Sequence, residues 1–508
     1  MPFRWLTTMS GPRGLPTVLG MQPITFQQVR LGSGGPITDV RIDGGRVVEI
    51  GDLRPGSGDD VLHHPGATLM PGLVDGHVHS AQWAERRRRI DVQRAHSPAE
   101  TVELIAAALR QRPAPVNGEV VMAHGFRDGL WSTPPHKDLL ESALPGVHVA
   151  VVSQDLHAIW LSPALLSRLG RDHETGLLRE QDCIDVTYEL SRDVPPELVD
   201  RWVLEATAAA AARGITSIVD FEYADNRTDW LRRAEQGAVP LRVKASVWKP
   251  WLDETIERGL RTGDALNAVI EVGPFKLVAD GSLNTRTAYC HDPYPEAVAG
   301  EKHGLLLIDE EELVRLMTVA SRNGLEPAVH AIGDHANSIT LNAFERVGCT
   351  GRIEHAQLVR PEDAPRFARP GLITSVQPQH AMSDRDVADR HWPGRTATAF
   401  PYGSLLRAGA TLEFGSDAPV SEPDPWHAIA DAVHRTDDDR APWHVEQAIP
   451  LNAALEAATA GRTTITVGDP ADLVLLPDDP THLSNPDLRT LPVLATLVAG
   501  RFTHRAED

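Results

Sequence analysis

Cysteine is scarce in this chain of 508 residues, which contains only Cys183, Cys290 and Cys349. The three thiols are odd in number and far apart in sequence, so they argue against a disulfide framework and against a cysteine-based zinc site. Scattered cysteines of this kind are typical of a reducing compartment. The sequence therefore predicts a cytoplasmic protein.

The chain also lacks any apolar run that is long enough to cross a bilayer. Arg4 and Arg13 lie near its start, but Gly and Pro interrupt every apolar stretch there, which argues against a signal-peptide core. A better-ordered pattern begins at Met21. Residues 1–20 are expected to be a disordered tail or to come from an upstream start site.

Positive charge is in deficit, because 49 Lys and Arg residues face 70 Asp and Glu residues, a net charge of −21. Such a chain repels nucleic-acid phosphates and anionic lipids, so neither is an expected partner. A Gly-x-Gly-x-x-Gly turn after a strand, a Walker loop and a Gly-x-Ser-x-Gly elbow are all missing. Nucleotide binding and serine hydrolysis are therefore disfavoured. The sequence leaves a homo-oligomer open.

Short β-type segments occur at both ends of the chain. Near the N-terminus, Asp43, Gly44 and Gly45 lie between two alternating apolar runs, which is a hairpin signal. Near the C-terminus, residues 471–477 and 493–504 have the same character. Neither end is long enough to bury a core alone, so residues 21–70 and 461–508 are predicted to form one small composite β-sandwich.

Strands and helices alternate between these ends. Each candidate strand is short and apolar, as expected for strands that are buried on both faces. The candidates span residues 68–79, 214–221, 241–248, 273–280, 325–331, 351–357, 372–378 and 410–419. Eight such units predict a distorted (β/α)8 barrel of the TIM type over residues 71–460. The long gap after the first strand predicts an inserted subdomain at residues 81–200.

Polar residues collect where the predicted strands end, which is the face on which barrel loops converge. His77 and His79 are two apart, so both point the same way and could chelate a metal. An isolated pair of this kind is more often two surface histidines in a turn. Lys276 lies inside an apolar run, where burial favours a neutral amine that could take up carbon dioxide. A snorkelling lysine is an equal alternative.

Three further polar residues lie at later strand ends, namely His330, His355 and Asp417. A single strand-end histidine is more often structural, and Asp417 could simply cap the next helix. Together with the first pair and Lys276, however, they favour a metal centre that activates water. Asp417 could also accept a proton from that water.

Five segments resemble, in order, the motifs of the amidohydrolase superfamily, and most closely its YtcJ-like branch, amidohydrolase family 3: PGLVDGHVHS, FKLVADGSLNTRTA, HAIGDHA, RIEHAQL and FGSDAPV. The resemblance covers about residues 24–504. It implies hydrolysis of an amide-type C–N bond at one or two divalent metal ions, with zinc favoured. It assigns His77, His79 and Asp417 to the more buried ion and His330 and His355 to the second. Lys276 would bridge both ions if it is carbamylated.

Residues in the loops near the barrel mouth are candidates for contact with a small amide-type substrate. The candidates are Trp131, His157, Arg286, Gln377 and His380. Arg286 could clamp a carboxylate or pair with a protein acid, and His157 could polarise a carbonyl or cap a loop.

Three functional hypotheses follow. The leading one is a metal-dependent amide hydrolase, in which Asp417, His330 and His355 serve the chemistry. A deaminase acting on a heterocycle at a single metal is the second, although HAIGD lacks the glutamate that such enzymes usually carry after the fifth strand. A scaffold without catalytic activity is the third, and the complete set of ligand positions counts against it.

Overall fold

The structure is a computed structural model that describes residues 22–111, 119–191, 194–296 and 301–506. The predicted tail at residues 1–20 lies outside these ranges. The strands are β1 (Ile24–Leu31), β2 (Ile37–Asp43), β3 (Arg46–Gly51), β4 (Asp60–His63), β5 (Thr68–Pro71), β6 (Leu73–Val78), β7 (Ile90–Asp91), β8 (Val120–Phe126), β9 (His148–Ser153), β10 (Ala158–Leu161), β11 (Leu177–Arg179), β12 (Ile215–Asp220), β13 (Arg242–Val247), β14 (Ile270–Val278), β15 (Pro327–Ala331), β16 (Gly351–His355), β17 (Leu372–Val376), β18 (Thr411–Phe414), β19 (Leu473–Leu476), β20 (Ala495–Val498) and β21 (Arg501–Arg505).

The α-helices are α1 (Ser80–Arg86), α2 (Pro98–Arg110), α3 (Lys137–Ala143), α4 (Pro163–Arg168), α5 (Gln181–Ser191), α6 (Pro196–Ala211), α7 (Asn226–Gln236), α8 (Lys249–Glu257), α9 (Glu310–Arg322), α10 (Asp334–Val347), α11 (Pro378–Ser383), α12 (Arg385–His391), α13 (Tyr402–Ala408), α14 (Pro425–His434), α15 (Leu451–Ala458) and α16 (Asn485–Arg489). No helix in the described ranges combines the length and the apolar character that crossing a bilayer requires.

Both ends of the chain contribute strands to one eight-stranded sheet. Its order is β21-β20-β19-β5-β1-β2-β3, and β4 also pairs with β1. The predicted hairpin joins β2 to β3, and Gly44 and Gly45 adopt φ of +56° and +78°, which glycine tolerates without strain. Phe26, Leu69 and Leu473 are among the side chains that form the separate core of this sheet. The predicted β domain composed of both termini is thus confirmed.

The barrel consists of eight strands in which every hydrogen-bonded neighbour is parallel, in the order β18-β17-β16-β15-β14-β13-β12-β6. All residues of β15 and β16 are buried, as expected when helices cover the outer face and side chains fill the interior. The predicted (β/α)8 fold is confirmed.

The first predicted barrel strand, at residues 68–79, is in fact two strands that belong to different sheets. β5 pairs with β19 in the terminal sheet, whereas β6 pairs with β12 in the barrel. The backbone changes partners at the junction, where Gly72 N donates to Asp472 O and Leu73 N donates to Gly214 O. One apolar run therefore links the two domains.

The seam between β6 and β18, the first and last barrel strands, is held mainly at its carboxyl end. Asp417 N donates to His77 O and His79 N donates to Ala418 O, each over 2.7 Å. Lower in the seam, the buried Asp75 side chain accepts from Ser416 N over 2.8 Å. Side chains thus supplement backbone hydrogen bonds at this seam, which fits the distortion predicted for the barrel.

The inserted subdomain contains a five-stranded sheet with the order β11-β10-β9-β8-β7. The turn between β9 and β10 reaches across the barrel mouth. There the Gln154 amide donates to Val420 O, which follows β18, and Ser282 Oγ, which follows β14, donates to Asp155 over 2.6 Å. The insertion thereby covers the face on which the candidate site lies.

Candidate metal centre

His77 and His79 project from the end of the first barrel strand. His77 is the fifth residue of β6, and His79 lies between β6 and α1. Because they are two residues apart on extended backbone, both rings turn to the same side, with ring centroids 5.5 Å apart. His77 Nδ1 lies 2.8 Å from Glu354 Oε2, which leaves Nε2 directed at the other groups of the site.

Lys276 extends from β14 to the same point. Its Nζ lies 3.4 Å from His77 Nε2 and 4.2 Å from the centre of the Phe221 ring. Burial lowers the pKa of Lys276 to about 8, although Glu354 and Asp417 favour the charged form. The side chain does not snorkel to solvent, because it is 3% exposed.

His330 lies on β15, and His355 is the last residue of β16. Their ring centroids are 4.4 Å apart, and the His355 ring is 4.9 Å from that of His77. Side chains alternate along a strand, so His355 would point away from Glu354 if β16 continued unchanged. His355, however, adopts a φ of +77°, which ends the strand and changes the direction of the His355 side chain. Burial, above all, lowers the pKa of both histidines well below the usual value, so both imidazoles are neutral.

Asp417 follows β18 and faces the first histidine pair. Its Oδ1 lies 3.2 Å from His79 Nε2 and 3.5 Å from His77 Nε2. Gly415 permits this approach, because a Cβ there would lie 2.7 Å from His77 Cβ. Burial opposes ionisation of Asp417, but the neighbouring histidines, His77 first, hold its pKa well below the usual value. Its φ of +56° is a strained conformation of the kind found at functional sites.

The structure therefore brings all six predicted ligands together, and we call them the ligand cluster: His77, His79, Lys276, His330, His355 and Asp417. His77, His355 and Asp417 offer ligand atoms within 4.8 Å of one another. Two ligands of one tetrahedral zinc ion are about 3.3 Å apart, close to the distances from Asp417 to the first histidines. His79 Nδ1 is buried and has no hydrogen-bond partner in the described part of the chain. These observations fit a divalent metal ion.

Several buried charged residues around the cluster were not among the residues predicted from the sequence. Glu354 anchors His77, and Arg352 in turn donates to Glu354 over 2.8 Å. Glu222 accepts from the N–H groups of Ala81 and Gln82, at the start of α1. The signal for Glu354 and Arg352 was a charged residue inside an apolar strand, which is the same signal that identified Lys276.

Three predicted substrate residues lie beside the ligand cluster. Gln377 Oε1 accepts from His355 Nδ1 over 2.9 Å, and the His380 ring stacks 6.4 Å from that of His355. His157 comes from the insertion, with its ring 6.0 Å from that of His330. Burial lowers the pKa of His157, but Glu180, 2.7 Å from Nδ1, outweighs this and raises the pKa to about 9.

Trp131 and Arg286, the other two substrate candidates, lie elsewhere. Trp131 is buried in the core of the insertion, with its ring 5.7 Å from that of Phe126. Arg286 lies 3.9 Å from Glu296, and its pKa is lowered by burial and by Arg179. Among the described residues, no hydrogen bond, ion pair or ring contact joins either side chain to the ligand cluster. Their substrate roles stay predictions.

The profile of the amidohydrolase family matches residues 65–504 of the chain. The chain therefore belongs to the amidohydrolase family, which confirms the resemblance seen in its motifs, and it is by class a hydrolase. The fold agrees, because the crystal structure of an uncharacterized metal-dependent hydrolase from Pyrococcus horikoshii OT3 superimposes with a TM-score of 0.75. That alignment covers 91% of this chain and 99% of the other, at 23% identity.

Three relatives are similar over most of their length. The putative amidohydrolase YtcJ of Bacillus subtilis is 28% identical, over 86% of this chain and 89% of its own. Protein LONG AFTER FAR-RED 3 of Arabidopsis thaliana is 27% identical, over 92% and 88%. The N-substituted formamide deformylase of Arthrobacter pascens is 24% identical, over 91% and 94%. Resemblance to the YtcJ-like branch is thus confirmed.

Proposed function

We propose that the protein hydrolyses an amide-type C–N bond in a small molecule, such as a linear or cyclic amide or an N-acyl or N-formyl compound. The observation that carries the proposal is the convergence of four imidazoles, one amine and one carboxylate at the carboxyl end of the barrel. A relative named for the deformylation of N-substituted formamides supports the choice of bond.

The ligand cluster would hold one or two divalent ions, and its nitrogen and oxygen donors favour zinc. His77, His79 and Asp417 would hold the first ion, and His330 and His355 the second. When bound, such an ion lowers the pKa of water from about 16 towards 7 and polarises a carbonyl oxygen. Because burial lowers the pKa of Lys276 to about 8, a fraction of this side chain is a neutral amine near neutral pH and could form a carbamate. The carbamate would replace an ammonium, which repels cations, with an anionic ligand.

Asp417 is the proton carrier in this proposal. Its low pKa keeps it ionised at neutral pH, and its Oδ1 lies within 3.5 Å of the Nε2 atoms of His77 and His79. The carboxylate takes the proton from the attacking water and passes it to the leaving nitrogen, which must be protonated before the C–N bond breaks.

The residues above the cluster would orient the substrate. His157 is fixed by Glu180 through Nδ1, so its Nε2 can contact the substrate carbonyl beside His330. His380 and Gln377 lie beside His355. The insertion covers the space above the ligand cluster, because it contacts the segments after β14 and β18. A covered site of this kind suits a small substrate better than a polymer.

An activity screen over amides, lactams, formamides and heterocycles tests the proposal, with protein reconstituted with zinc or manganese and with or without bicarbonate. We expect a new carboxylate, or formate, and an amine in equal amounts, with bicarbonate raising the rate if Lys276 is carbamylated. Ammonia released from a heterocycle without a carboxylate would favour the deaminase. Less than one equivalent of metal, not restored by zinc or manganese, would favour the scaffold.

A further inference from the structure

Below the ligand cluster, one arginine spans the barrel interior. Arg352, on β16, is 5% exposed. Its three side-chain nitrogens donate to three different residues, which lie on three different strands. Nε donates to Glu354 Oε1 on the same strand over 2.8 Å, and Nη1 donates to Glu413 Oε1 on β18 over 2.6 Å. Nη2 donates to Gly76 O on β6 over 2.9 Å.

Two of these acceptors lie on opposite sides of the barrel seam. Gly76 belongs to the first strand and Glu413 to the last, so the guanidinium connects β6 and β18 where few backbone hydrogen bonds do. Gly76 also directly precedes His77, so the bond to its carbonyl fixes the backbone that carries this ligand. A planar guanidinium with several donors can make all three bonds at once, whereas a lysine ammonium cannot match that geometry.

The third acceptor leads directly to the ligand cluster. Glu354 is fully buried and accepts from both Arg352 and His77 Nδ1. An isolated carboxylate would be costly at this depth, and Arg352 supplies the compensating charge. Arg352 therefore keeps Glu354 available as the anchor that sets the tautomer and direction of His77.

We propose that Arg352 is a positioning residue that couples closure of the barrel seam to metal retention at His77. One guanidinium holds the two seam strands together and, through Glu354 and the Gly76 carbonyl, fixes the orientation of His77. The inference rests on the proposed role of His77 as a metal ligand. It adds that the affinity of this position depends on a residue that contacts neither metal nor substrate.

The R352M variant tests the coupling. We expect the affinity for zinc, measured by competition with a chromogenic chelator, to fall by about 10-fold, the lower end of the loss that is usual when a direct partner of a metal ligand is removed, because Arg352 acts on His77 through Glu354 and the Gly76 carbonyl. R233M is the matched control, because Arg233 is equally buried and donates to buried Asp200, but lies on α7 outside the barrel. R233M should lower the melting temperature of the metal-free protein and leave zinc affinity within twofold of wild type.

Two milder variants keep the test informative if R352M does not fold. R352K retains the charge but loses part of the hydrogen-bond geometry, and E413Q removes only the charge on the seam side. Both should lose zinc affinity to a smaller degree than R352M. Folded R352K and E413Q proteins that bind zinc as tightly as wild type would overturn the proposal.

The two proposals fail in different ways. If wild type binds zinc and R352M loses affinity, but no compound in the activity screen is cleaved, the coupling stands and the proposed reaction is wrong. If amides are cleaved and R352M keeps both zinc affinity and turnover, the coupling is wrong and the reaction stands. Wild-type protein that binds neither zinc nor manganese overturns both.

Discussion

The two sides of the ligand cluster differ in what holds their histidines. On the first-strand side, His77 Nδ1 faces the carboxylate of Glu354, whose pKa Arg352 holds well below the usual value against the effect of burial. On the sixth-strand side, His355 Nδ1 faces the neutral amide oxygen of Gln377. Both anchors fix the ring, but only the carboxylate adds negative charge behind the imidazole.

If the cluster holds two ions, as proposed above, this difference makes the two proposed metal positions unequal. A carboxylate behind a ligating histidine raises the basicity of the ring as well as orienting it, whereas an amide mainly orients it. We expect an ion at the first position to be held more tightly than one at the second. Substituting Asp417, which lies near histidines of both sides, should affect both positions. Substituting Glu354 or Gln377, which anchor one histidine each, should change the difference in metal affinity between the two positions.

The largest effect is expected from D417N, because Asp417 contacts His77 and His79 and its Oδ2 lies 4.0 Å from His355 Nδ1. Loss of the proton carrier should lower kcat by about 10²–10⁴-fold, in a protein that remains folded by circular dichroism. D309N is the control, since Asp309 caps α9 on the surface and asparagine caps equally well. Full activity of D417N would refute the assigned role.

E354Q should have the next largest effect. The substitution keeps the shape of the side chain and an oxygen for His77 Nδ1, but removes the charge that distinguishes the first-strand side. Zinc affinity of the tighter position should fall by about 10–100-fold in chelator competition. An unchanged affinity would show that the charge behind His77 does not matter and would remove the basis for the contrast.

Q377E should have the smallest effect, with the opposite sign. Gln377 Nε2 is buried without a hydrogen-bond partner among the described residues, so the exchange removes no bond and places a carboxylate behind His355. Binding of a second zinc equivalent should tighten by a few-fold, less than the loss in E354Q. Q357E is the control, because Gln357 lies near His380 but does not bond to His355. This variant should not bind the second zinc equivalent more tightly. Equal tightening in Q377E and Q357E would point to general electrostatics.

Local sequence signals were enough to predict that these six side chains converge, because each lies at the end of an apolar strand or inside one. Parallel barrel strands place their carboxyl ends on one face, so such residues converge without any knowledge of the loops. Lys276 was identified as a charge within a buried run. The same rule applied to GRIEH and TLEF would have identified Arg352, Glu354 and Glu413.

The way in which the inserted subdomain covers the site could not be predicted from local sequence signals. Asp155 and Glu180 matter only because the insertion docks on the loop after β14, where Ser282 and Thr285 donate to them. That docking depends on contacts between residues that are far apart in sequence, which no local pattern encodes. The division of residues 68–79 between two sheets was missed for the same reason, since it depends on the partners of β5 and β6.

The shared terminal sheet also constrains how the chain can be made. In the sheet, β5 lies between β1 and β19. β1 and β5 leave the ribosome early, but β19 begins only at residue 473 and is therefore made much later. Until then the apolar edge of β5 is unpaired and able to join another chain. Loss of the last forty or so residues would therefore leave that edge permanently open, even though every group of the ligand cluster would still be present.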